Sequence, residues 1–189
     1  MDLLSRVKGI LLTPETEWLA VEKEPGTPAY LLTNYVVYLA AIPPIAGFLG
    51  RAIIGETLPS VGTSRVGLFA GLLGAVIGYV LSFVITFAVA IIIYQLAPRF
   101  GSVKNFSSAL KVTAYSLTPY WVAGVLQVVP GLRFVGDVVA FFGIYLVWLG
   151  LPRLMKTPAD RAVAYVATMV VCAIVLVVAI TLLAGAIVA

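Results

Sequence analysis

Apolar residues in this chain come in long blocks, and the polar residues between them fall into a few short clusters. The blocks cover about residues 31–51, 67–98, 110–129, 132–151 and 162–188. Each is about 20 residues or longer, which is what a helix needs to cross a hydrocarbon core of about 30 Å. The pattern predicts an all-α integral membrane protein. A bundle of five transmembrane helices occupies residues 31–189, and a cytoplasmic amphipathic segment occupies residues 1–30. The second block would reach about 46 Å as a helix, so it must tilt or project beyond the membrane.

Ahead of the first block, Leu3, Leu4, Val7, Ile10 and Leu11 recur at helical spacing, with Arg6 and Lys8 off that face. Thr13-Pro14-Glu15 reads as a second helix start, followed by Trp18 and Leu19, and Pro25-Gly26-Thr27-Pro28 ends it. Two short helices are expected here, either lying on the cytoplasmic membrane surface or presented to a partner. Asp2, Arg6 and Lys8 interrupt the first residues, and Gly9–Leu12 is too short for the apolar core of a signal peptide.

Within the blocks, four features stand out. Gly67, Gly71, Gly74 and Gly78 fall on one face of the second helix, where small residues let another helix approach closely, in the same chain or in a second copy. The third block is polar for its place, with Thr113, Tyr115, Ser116, Thr118, Pro119, Tyr120, Trp121 and Gln127. The first block carries Asn34, Tyr35, Tyr38 and a Pro43-Pro44 pair. Either these helices are kinked and hydrogen-bonded within the bundle, or they enclose a polar cavity between them. Arg133 and Asp137 stand four apart near one end of the fourth helix, where a shallow ion pair is expected; an acid inside a span is otherwise a candidate for ion or proton handling.

Charge then orients the bundle. Of 12 Lys and Arg, nine fall on one side (Arg6, Lys8, Lys23, Arg99, Lys104, Lys111, Arg153, Lys156, Arg161) and three on the other (Arg51, Arg65, Arg133). The positive-inside rule puts the N-terminus in the cytoplasm and the C-terminus in the periplasm or a lumen. The basic excess, with a pI near 9.3, therefore points to membrane lipids rather than nucleic acid.

Composition restricts the chemistry. Hydrophobic residues make up 62% and charged residues 11%, against about 25% charged in soluble domains. There is no histidine, which excludes Ser-His and Cys-His catalysis and histidine metal sites. Cys172 is the single cysteine and reads as a small packing residue. No span holds paired carboxylates, no lysine lies deeper in a span than Lys111 at the start of the third, and no phosphate loop is present. A noncatalytic protein with no cofactor is expected.

The densest polar cluster lies between the last two blocks, where Arg153, Lys156, Asp160 and Arg161 fall within nine residues. Thr157 is placed to N-cap the last helix, Pro158 suits its first position, and Asp160 suits the positive end of its dipole. The cluster is then a helix start at a lipid surface, or a docking site with Trp18 packed nearby.

GLPRLMKTPADRAVAY, from Gly150 to Tyr165, resembles the signature between the last two helices of bacterial members of the Yip (Ypt-interacting protein) domain family. TPETEW, from Thr13, resembles the motif that opens those members, and AYSLTPYWVAG, from Ala114, resembles the family's polar third helix. The likeness covers essentially the whole chain. It implies five spans with a cytoplasmic N-terminus. Eukaryotic relatives bind Rab-type GTPases and carry a longer N-terminal region, whereas about 30 residues precede the first span here; the likeness is to bacterial members of the inner membrane. The expected function is that of a membrane adaptor or organiser with a membrane-protein partner or a second copy, using Trp18, Arg153, Lys156, Asp160 and Arg161. A small channel or transporter for an ion, lipid or solute is the alternative, resting on the third block, Pro43-Pro44 and Asp137.

Overall fold

The computed structural model describes residues 2–24, 27–58 and 62–188. Pro25 and Gly26, within the expected end of the second amphipathic helix, lie outside the described residues. Helix α1 spans Leu3–Leu12, and Asp2 caps it by accepting from the Ser5 amide at 3.2 Å. Helix α2 spans Pro14–Lys23, with its proline in the first turn, where no amide partner is needed.

The first apolar block is an interrupted helix. It starts as α3 (Pro28–Leu31), widens into a π-helical turn over Leu32–Val36, and continues as α4 (Val37–Leu39). It then breaks at Ala40 and Ala41 and resumes as α5 (Ile42–Phe48), with Pro43 and Pro44 in its first turns. A second π-helical stretch, Leu49–Ile54, ends at Gly55, whose φ of 90° suits a residue without a Cβ. Two three-residue strands follow, β1 (Glu56–Leu58) and β2 (Gly62–Ser64), paired antiparallel with Thr57 opposite Thr63.

Helix α6, Leu68–Leu96, is 29 residues without interruption. A 3-10 turn over Ala97–Phe100 closes it where Pro98 enters, and Gly101 reverses the chain at φ 69°. The third block forms no single long helix. It divides into α7 (Phe106–Ser116), α8 (Thr118–Ala123) and a 3-10 segment over Gly124–Val128. Pro119 lacks the amide that would bond the carbonyl of Tyr115, so the chain breaks at Leu117. The fourth block is α9 (Arg133–Ala140) and α10 (Phe142–Leu154), and the fifth is α11 (Ala159–Val188).

Four helical stretches are long and apolar enough to cross a membrane: Pro28–Ile54, Leu68–Phe100, Arg133–Leu154 and Ala159–Ile180. Their outward faces carry large apolar side chains such as Phe69, Phe134 and Val175. The buried core joins Trp18, Tyr35, Tyr115 and Trp121 in one cluster and Ile93, Leu151, Met155 and Tyr165 in a second.

Polar ties from tyrosine hydroxyls to backbone carbonyls cross the bundle. The Tyr79 hydroxyl donates to the Val37 carbonyl at 3.0 Å, just before the break at Ala40. The Tyr165 hydroxyl donates to the carbonyl of Ile93 and joins α11 to α6.

Contacts gather at two opposite ends. At one, the Val103 amide donates to Met155 at 2.7 Å and the Lys111 ammonium to the Glu24 carbonyl at 2.6 Å. At the other, the Val66 amide donates to Arg51 at 3.2 Å, and a Cβ at Gly50 would run into the Gln127 carbonyl.

Candidate functional site at the basic end

The first of these ends is built on a buried arginine. Arg6 lies only 4% exposed, bonded to Glu17 and Glu24 and 5.6 Å above the Tyr115 ring. The expectation that Arg6 stands off the packed face is corrected here. The tight α1–α2 turn folds the polar side of α1 onto the acids that follow it, while Leu4 and Leu12 remain exposed. The two helices are therefore tied into the bundle at this face.

Trp18 carries α2 onto α10. It is fully buried, meets Tyr115 edge-on at 6.0 Å, and lies flat enough against α10 that a Cβ at Gly150 would approach its ring to 2.8 Å. Trp18 was expected among docking residues. Its burial makes it instead the wedge that fixes α2 on α10, and its Nε1–H has no acceptor among the described residues.

The loop between α10 and α11 completes the end. Lys156 takes φ 54°, the left-handed conformation a side chain rarely adopts, and its ammonium pairs with Glu22 of α2. That hydrogen bond holds the Glu22 carboxyl below the usual carboxylate range. Thr157 does not cap α11. Its buried hydroxyl donates to the Leu151 carbonyl at 3.1 Å and pairs with the Ser102 hydroxyl at 2.8 Å, fastening this loop to the one after α6. Asp160 is in the first turn of α11, as its charge favours. Arg153, Lys156, Asp160 and Arg161 are all exposed, and Arg161 lies 3.8 Å from Asp160.

The intramembrane polar residues are placed differently from one another. Between the first and third blocks the space is closed: the Tyr35 and Thr118 hydroxyls pair at 2.7 Å, and Tyr35 meets the Tyr115 edge at 4.9 Å. Asn34 turns outward and donates to the Tyr30 carbonyl at 3.0 Å. Pro119 and Trp121 are buried in the α8 contact. A cavity of about 360 Å³ lies on the other side of the third block, among α6, α7, α10 and α11, walled by Ile85, Gly143, Val147 and Met169. Ser116 and Tyr120 touch it, and the buried Ser116 hydroxyl has no partner among the described residues.

The expected pair of Arg133 and Asp137 does not form. Both are exposed on α9, and Asp137 makes no ion pair among the described residues. Of the four aligned glycines, Gly71 meets Phe48 and Gly78 meets Pro44, whereas Gly67 and Gly74 border open space. The tight crossings are made by Gly50, Gly124, Gly143 and Gly150.

These features define a multi-pass helical membrane protein whose short N-terminal hairpin is locked onto one end of its bundle. The chain belongs to the Yip1 domain family, whose model matches residues 8–180. It is similar to the inner membrane protein YohC of Escherichia coli K12, with 25% identity over 165 residues, covering 86% of this chain and 85% of YohC. YohC of E. coli CFT073 shows the same identity and coverage. No solved structure matches the chain.

Proposed function

We propose that this protein is a noncatalytic inner-membrane adaptor or organiser that presents its basic end to a membrane partner. The family and the likeness to an E. coli inner membrane protein support the location. The chain then crosses five times, with the basic end in the cytoplasm and the C-terminus in the periplasm. Two things support that count. Residues 103 and 155 meet at one end, and residues 50 and 127 meet at the other, beside the Arg51–Val66 bond, so the broken third block runs the same course as its neighbours. Nine of the 12 Lys and Arg lie at the first end.

The observation that carries the adaptor reading is the exposed set Arg153, Lys156, Asp160 and Arg161 on a platform made rigid by Arg6 and Trp18. A fixed array of both signs gives a partner register and specificity more than raw affinity. The closed, hydrogen-bonded contact between Tyr35 and Thr118 counts against a polar path through the first and third blocks. Cross-linking in intact membranes, read by mass spectrometry, compares the native chain with Asp160→Ala/Arg161→Ala after both are shown to insert. A specific partner captured by the native chain and lost by the variant is the expected result. No partner, or one retained by the variant, overturns it.

A further inference from the structure

We infer that the basic end also holds a phospholipid, with a zwitterionic headgroup in a cleft between α2 and α10 and an acyl chain in the groove between α10 and α11. This site shares Arg153 with the adaptor reading but does not rest on it. The cleft, about 280 Å³, is bounded by Glu15, Trp18, Leu149 and Arg153. Arg153 and Glu15 form no ion pair or hydrogen bond among the described residues. In this cleft stand one cation and one anion, backed by the Trp18 ring. An ammonium joined to a phosphate matches that set: the guanidinium donates to phosphate oxygens, and the carboxylate accepts from the ammonium.

What lies below the cleft selects a lipid. A second hollow continues from Arg153 and Leu149 past Pro152 to Trp148, and a third continues from Trp148 between Tyr145 and Ala167 to Phe141. The surroundings change from charged to mixed to wholly apolar in that order. From Arg153 to Phe141 is twelve residues, about 18 Å of helix. One leaflet's share of the hydrocarbon core is about 15 Å. The groove is thus as deep as one acyl chain, beneath a cleft at headgroup level, where Trp148 sits as interfacial tryptophans do.

The test is native mass spectrometry of the full chain in detergent, titrated with phosphatidylethanolamine and phosphatidylglycerol of identical chains. Retained phosphatidylethanolamine, bound several-fold more tightly than phosphatidylglycerol, is expected. Arg153→Gln should weaken both lipids. Glu15→Gln should abolish the preference by weakening phosphatidylethanolamine alone. Ala167→Trp, which fills the groove and leaves the headgroup cleft intact, should also release the lipid; if it does not, the ligand is a soluble zwitterion and the lipid assignment fails. Lys8→Gln, a basic residue of the same end away from the cleft, should change nothing. Equal binding of both lipids, or binding unaffected by Arg153→Gln, overturns the site. Asp160→Ala/Arg161→Ala leaves the cleft in place, so loss of the partner and loss of the lipid are read separately.

Discussion

Arg6 shows what a single buried charge does here. Its guanidinium is removed from water and paired with Glu17 and Glu24. Taking away one member of such a cluster leaves the others poorly compensated, at a cost of about 3 kcal/mol. Arg6→Met should therefore lower stability by about that amount in denaturant unfolding in detergent, and Arg6→Lys should recover only part of it, since an ammonium has no two-pronged geometry. Glu22 gives a pH signature. Lys156 lowers its carboxyl, so the contact contributes fully above the ordinary carboxylate range and is lost as pH falls through the lowered value. Hydrogen exchange across Pro14–Lys23, corrected for intrinsic rates, should rise from neutral to about pH 3, and Lys156→Met should remove the part of that rise that the Glu22 contact contributes. The sequence made neither pairing plain. Apolar periodicity placed Arg6 off the packed face, and the only pointer against it was the run of acids Glu15, Glu17, Glu22 and Glu24 in and just after the next helix. Trp18 was legible as a neighbour of the loop, but its burial depends on Gly150, which offers no local signal.

Among the helices, packing is set by glycines that the sequence ranked differently. The four-three-four spacing in α6 drew attention to Gly67, Gly71, Gly74 and Gly78, but periodicity shows only that residues share a face, not that a neighbour lies opposite it. Gly50 meets the backbone carbonyl of Gln127, and a Cβ at Gly143 would lie 2.5 Å from the Ser116 carbonyl. Backbone yields less readily than a side chain. Gly50→Ala and Gly143→Ala should each cost about 1–3 kcal/mol, seen as a lower unfolding midpoint. Gly74→Ala, with open space around it, should stay within about 0.5 kcal/mol of the native chain. The apolar blocks themselves were legible because their length is a bilayer requirement. The fragmentation of the third block was half legible: Pro119 announced a break, and its polar residues announced internal bonding. That Thr118 would pair with Tyr35, 83 residues away, depends on tertiary contact that no local pattern records.

At the scale of the whole molecule, the question is whether the broken third block crosses the membrane. Its helices α7 and α8 are too short to cross alone, at 11 and 6 residues, yet its ends meet opposite ends of the bundle. Burial explains how that is tolerated: interrupted backbone at membrane depth survives where protein surrounds it, and Thr113, Ser116, Thr118 and Trp121 are buried. The prediction is made with a chain in which Cys172, the single cysteine, is replaced by alanine. Into it Lys104→Cys, Asp160→Cys, Arg65→Cys and Gly131→Cys are introduced one at a time. In intact cells a membrane-impermeant maleimide should label the variants at 65 and 131, and those at 104 and 160 only after permeabilisation. If 104 and 131 are labelled from the same side, the third block is a re-entrant segment and the chain crosses four times. If all four positions are labelled in reverse, the five crossings stand but the basic end faces the periplasm, against the nine-to-three bias of its Lys and Arg, and a cytoplasmic partner is ruled out.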